Sequence, residues 1–190
     1  MMLNYFANLS VIQVIIQRLS AAITTVPDTQ GWLYGMGLLF LFTIIALPIG
    51  FRWEFLQFEA LRATWNDILG IVITSLWMPA LIEELVFRVL LLPRTTENLP
   101  IGLVWFWVGI SLVLFIVYHP LNAISFFPSG RDTFFNLIFL TLAGLLGFVC
   151  SLAYLQSGSL WTPVFIHWLV VAVWLLLLGG YGKLYRSPQT

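Results

Sequence analysis

Glu83 and Glu84 stand side by side, and Arg88 follows four residues after Glu84, in a stretch from 68 to 93 that is otherwise apolar. A charged side chain at mid-bilayer costs about 2.5–3.5 kcal/mol on insertion scales. Such residues are kept for function and carry a partner. Glu84 and Arg88 share one helix face at this spacing and can pair. Glu83 points about a hundred degrees round the helix from Glu84 and is the freer carboxylate. One acid held by an arginine and one left over is a pattern suited to proton transfer.

The chain has two histidines, each in an apolar run of its own. His119 follows Phe115 by one turn, and His167 follows Pro163 by one turn. Taken singly, each reads as a hydrogen-bonded packing residue. Together with the Glu-Glu-Arg cluster they make three polar sites on three helices, and each must turn inward from lipid. Two chemistries fit. Glu83 and His119 would activate a water, with His167 donating to the oxyanion of a tetrahedral intermediate. Alternatively, Glu83, His119 and His167 would bind zinc with one open position for water. The local His-Glu-x-x-His pair of zinc helices is absent, which favours a site with no cofactor.

These residues need membrane helices to hold them. The 190-residue chain is 61% hydrophobic and 8% charged, against about 25% charged in soluble domains. It cannot cover itself with a charged surface and is expected to be a multi-pass integral membrane protein. The expected fold is an all-α polytopic transmembrane helix bundle, a single domain over 1–190. It has about five or six membrane helices and one interfacial helix. Residues 4–25 are apolar with a polar stripe of Ser10, Gln13, Gln17, Ser20 and Thr24. This helix lies along the interface or spans with the stripe turned toward protein. Spans follow at 31–50, 68–93, 101–119, 133–155 and 160–180. Residues 51–67, with charges among aromatics, read as the interfacial helix. Pro79 should kink or restart its helix just before the motif. Pro120 should end the helix of His119, and 121–132 reads as a loop. Ala143, Gly144 and Gly147 permit close helix packing, and 156–159 is a tight turn.

With five spans from residue 31, basic residues divide five against two. Arg52, Arg62, Arg131, Lys183 and Arg186 lie on one side, with Arg18 and Arg94 on the other. The positive-inside rule then places the C-terminus in the cytoplasm. Net charge is zero with no basic block, so nucleic acid is not an expected partner. Cys150 is the sole cysteine, so no internal disulfide forms. No cleavable signal peptide is expected.

Three motifs in order resemble a known family, the CAAX prenyl endopeptidase and bacteriocin-processing (CPBP, Abi) intramembrane proteases. The first is Glu-Glu-x-x-x-Arg, here Glu83-Glu84-Leu85-Val86-Phe87-Arg88. The second is Phe-x-x-x-His, here Phe115 to His119. The third is a Gly-Ser-Leu-Trp-type turn leading to a histidine, here Gly158 to Trp161 and then His167. The resemblance covers a protease core of about 65–175. It implies that Glu83 and His119 activate water and that His167 stabilises the oxyanion. It also implies that Glu84, Arg88 and Phe115 support the site and that no metal takes part. Two positions depart from the pattern. The Asn or Asp expected four residues after the third-motif histidine is Val171, and the small residue after the arginine is Val89. Asn122 or a backbone amide could supply the missing donor.

Three classes of function follow. An intramembrane endopeptidase would take a membrane-associated peptide or protein as substrate, with membrane lipids around it. A non-catalytic member would keep the fold as a scaffold or chaperone, and Val171 is the feature favouring it. A transporter would use the acid and histidines as a proton relay, and would call for internal repeats and paired broken helices. One break, at Pro79, is visible in the chain.

Overall fold

The computed structural model describes residues 11–185. They fold as an all-α bundle with no strand among them. The helices are α1 (Val11–Thr24), α2 (Thr29–Arg52), α3 (Trp65–Leu90), α4 (Ile101–Ser125) and α5 (Arg131–Phe134). They continue as α6 (Leu137–Ser157), α7 (Trp161–Leu177) and α8 (Gly180–Tyr185). Helices α2, α3, α4 and α6 are long and apolar enough to cross a membrane. α7 has 17 residues, about 26 Å of helix. The outward faces carry Leu33, Phe40, Ile44, Phe106 and Val113, all exposed. A surface so apolar is stable against lipid and not against water.

α6 is the central helix. Half of its apolar window is buried inside the protein, against 17% for α4. It packs on α2, α4 and α7. The small residues expected to permit this do so at measurable distances. A Cβ on Gly144 would meet Ile116 of α4 at 3.0 Å, and one on Gly147 would meet Phe115 at 2.9 Å. Asn136 starts α6 by accepting from the amides of Ile138 and Phe139. Gly158 ends it in the left-handed conformation (φ 62°), which glycine adopts without a Cβ penalty. That is the expected turn before α7.

α1 packs against the end of α3 and carries its polar residues outward. Gln13, Gln17, Ser20 and Thr24 are exposed, whereas Ala22 is buried and Arg18 and Leu19 are partly so. Ile12, Ile15, Ile16 and Ile23 of the same helix are exposed as well; Ser10 lies outside the described residues. Arg18 clasps the α3–α4 connection. Its Nε and Nη2 donate to the two oxygens of Glu97 at 3.1 and 2.9 Å, and Nη1 donates to Leu90 O at 2.9 Å.

Three elements differ from expectation. Residues 53–64 are not an interfacial helix. After Arg52 the chain turns through Glu54 (φ 55°), buries Phe55 and Leu56, and runs extended. The physical reason is the end of α7. A helix leaves its last carbonyls without partners, and the extended segment supplies them. Gln57 N–H donates to Leu178 O at 3.4 Å, Glu59 N–H to Leu177 O at 3.1 Å and Leu61 N–H to Leu176 O at 2.7 Å. Second, the span expected over 160–180 is interrupted at Gly179 (φ 78°), and α8 starts beyond it. Third, α4 continues through Pro120 to Ser125, so the 121–132 loop is shorter than expected. A membrane helix tolerates the lost amide where neighbours satisfy the freed groups. Arg186, counted in the charge balance, lies outside the described residues.

Candidate active site

Pro79 does what its position implies. Met78 leaves helical geometry (φ −131°, ψ 115°) before the cis Met78–Pro79 peptide, and the helix resumes. π-helical turns at Leu76–Leu81 and Leu85–Leu90 flank the α-turn of Ile82–Glu84. The three charges of the motif point inward, whereas Asp67 in the first turn of α3 is exposed. Glu84 is 0% exposed, Arg88 1% and Glu83 7%.

The expected Glu84–Arg88 ion pair is present, with Nε 3.1 Å from Oε2. Arg88 also donates from Nη2 to Gly147 O of α6 at 3.0 Å, and its guanidinium lies 4.6 Å from the Phe115 ring centre. One arginine thereby ties α3 to α6 and α4. Ser111 of α4 donates to Phe87 O at 2.5 Å, fastening the same pair of helices. The second oxygen of Glu84 accepts from His167 Nδ1 at 2.7 Å. His167 Nε2 is 3.8 Å from Glu83 Oε2. His167 thus stands between the two glutamates.

This contact pattern constrains the protons. With Nδ1–H donating to the Glu84 carboxylate, Nε2 is the nitrogen turned toward Glu83. Two carboxylates and one guanidinium leave one excess negative charge, which is costly in a buried membrane site. One further proton makes the group neutral. The Glu83 carboxylate and His167 Nε2 face each other at 3.8 Å.

His119 is held differently. Its Nδ1 lies 2.8 Å from Phe115 O, one turn earlier on α4. A carbonyl only accepts, so Nδ1 carries a proton, and in the neutral ring Nε2 keeps its lone pair. The ring sits edge-on among Phe115, Tyr118, Phe134 and Phe139, at centroid distances of 4.9 to 5.7 Å. The result is an oriented imidazole whose Nε2 has no hydrogen-bond partner among the described residues.

Glu83, His119 and His167 line one cavity of about 1600 Å³, as do Phe115, Asn122 and Val171. Glu84 and Arg88 do not line it. They stand behind His167 and Phe115. Among the described residues no hydrogen bond or ion pair joins Glu83 and His119; the imidazole that Glu83 meets is that of His167. Val171 is on α7, one turn past His167, and Asn122 is on α4, one turn past His119. Tyr118 also lines the cavity, within electrostatic reach of Glu83. Sequence reasoning passed over it. The available signal was a tyrosine hydroxyl inside an apolar span, which requires a polar neighbour. Val89 is fully buried in an apolar cluster with Ala22, Val108, Tyr154 and Val164.

Zinc would require Glu83, His119 and His167 to close on a single ion. Among the described residues, no three His, Cys, Asp or Glu side chains are gathered closely enough to hold one. Nδ1 of each histidine is engaged, one by Glu84 and one by Phe115 O, which leaves Nε2 as the nitrogen either ring would offer a metal.

An apolar helix bundle with an inward acid–imidazole cluster opening on a large cavity defines a polytopic membrane protein. A family model, the type II CAAX prenyl endopeptidase Rce1-like family, matches residues 64–173. The chain belongs to this family, which is a family of proteases. The matched region runs from the cap of α3 into α7 and contains all three motifs. Searches of curated proteins and of solved structures each returned no match.

Proposed function

We propose that the protein is an intramembrane endopeptidase hydrolysing a peptide bond of a membrane-associated substrate. The observation that carries this reading is the shared cavity of Glu83, His119 and His167, two of them with oriented imidazoles. A water between Glu83 and His119 gives up a proton to this pair as its oxygen attacks the scissile carbonyl. His167, held by Glu84, donates from Nε2 to the developing oxyanion. The proton taken from water passes to the leaving amine as the carbon–nitrogen bond breaks. Glu84 and Arg88 touch no substrate and act by holding His167 and Phe115. No step requires a metal. The substrate is a peptide anchored in the lipid around the cavity, and the C-terminus lies in the cytoplasm.

The test is cleavage of a quenched fluorescent, farnesylated Cys-a-a-X peptide by purified protein in liposomes. Glu83→Gln and His119→Ala should each abolish turnover while melting as wild type does. Chelators should leave the wild-type rate unchanged. Normal turnover in both variants refutes the reading, and a chelator-sensitive rate restored by zinc replaces it with the metal alternative. Val171 favours a second reading, a non-catalytic member serving as scaffold or chaperone. It places an apolar side chain one turn past His167, where the family pattern has Asn or Asp. The absence of wild-type turnover would support it.

A further inference from the structure

The extended segment that caps α7 has two edges, and among the described residues only one is in use. Successive amides of an extended chain point to opposite edges. Those of Gln57, Glu59 and Leu61 donate to the last carbonyls of α7. Those of Phe58, Ala60 and Arg62 point the other way. Among the described residues none of these three amides has a hydrogen-bond partner. All three residues are exposed. A second concavity of about 530 Å³ is lined by Phe58, Ala60 and Arg62 with the two residues between them. The same three residues also line the large cavity that holds Glu83, His119 and His167.

An open strand edge is a template for another chain. We propose that this edge binds the substrate backbone as an added strand, with the amides of Phe58, Ala60 and Arg62 donating to alternate substrate carbonyls. The proposal rests on the peptidase reading and deepens it, because it names the conformation in which the peptide is taken. Main-chain hydrogen bonds of this kind recognise an extended peptide with little regard to its sequence. They also hold the scissile bond away from the helical geometry that would shield its carbonyl from attack.

The fold sets the register. His167 and Leu176 are nine residues apart on α7, about 14 Å along the helix. Val170, Val173 and Trp174 line the cavity over that distance. An extended peptide rises about 3.3 Å per residue. The scissile bond therefore lies roughly four residues from the part of the substrate paired with Ala60.

Two measurements test this on the full chain in nanodiscs. In the first, the farnesylated reporter carries a single N-methyl group at each backbone nitrogen in turn. N-Methylation disrupts an added strand at every second residue. KM should therefore rise about three- to tenfold at alternate positions centred about four residues from the cut, with kcat held. A scan with no alternation overturns the proposal. The second measurement does not need turnover. In a Glu83→Gln background, p-benzoylphenylalanine replaces Ala60, and the same peptide is irradiated with it. Crosslinks confined to residues about four from the scissile bond are expected. Cleavage by wild type without such crosslinks overturns the docking edge and leaves the peptidase reading intact. Crosslinks without wild-type cleavage uphold the edge and refute the peptidase reading. Neither cleavage nor crosslinks overturns both.

Discussion

Arg88→Met removes the cation from the centre of the polar cluster. Glu84 is then left with a carboxylate that is 0% exposed and has lost its ion-pair partner at 3.1 Å. Breaking a buried pair by deleting one member costs about 3–5 kcal/mol. The donation to Gly147 O and the contact with the Phe115 ring disappear in the same substitution, and their contributions are not independent of that figure. For a chain of this length, 1 kcal/mol shifts the melting temperature by about 2–4 °C, so a fall of roughly 6–20 °C is expected. The double variant Glu84→Gln, Arg88→Met takes both charges away and keeps an oxygen for His167 Nδ1. It should recover at least half of the loss, since replacing a buried pair outright is far cheaper than breaking it. The protein carries its own reporter. Cys150 is the only cysteine and is 0% exposed, so a thiol-reactive fluorogenic dye in detergent reads unfolding directly. Tryptophan emission reads parts of the bundle further from the substitution. An Arg88→Met protein melting within about 2 °C of wild type by both probes would refute the claim that this cluster holds the bundle together.

Gly147→Ala should disturb the same junction by steric means. The new Cβ would stand 2.9 Å from Phe115 and 3.2 Å from Arg88 Nη2, and overpacking of this kind costs about 1–3 kcal/mol. Gly37→Ala, with nothing within 4 Å, is the control and should melt at or slightly above wild type, which a thermal scan of both variants decides. Arg18→Gln removes the part-exposed clasp on Glu97 and Leu90 O. A loss of about 1 kcal/mol is expected, and a double-mutant cycle with Glu97→Gln isolates the pair.

Membership of the membrane class, the Glu84–Arg88 pair and the break at Pro79 were legible in the chain because each is local. Hydropathy is summed over one helix, an i,i+4 pair lies on one face, and proline acts on its own turn. The motifs carried the family because their order and spacing survive without coordinates. What the sequence left open depended on partners distant in the chain. Residues 53–64 have the composition of an interfacial helix, and the free carbonyls at the end of α7 draw them into an extended segment instead. Pro120 carries a stop signal, yet α4 runs on through it. Which imidazole meets Glu83 was undecidable from spacing, since α3, α4 and α7 each fix only their own rotation. The packing of those helices on α6, with Arg88 reaching Gly147 O, sets that choice, and it seats His167 between the two glutamates while His119 leans on Phe115 O.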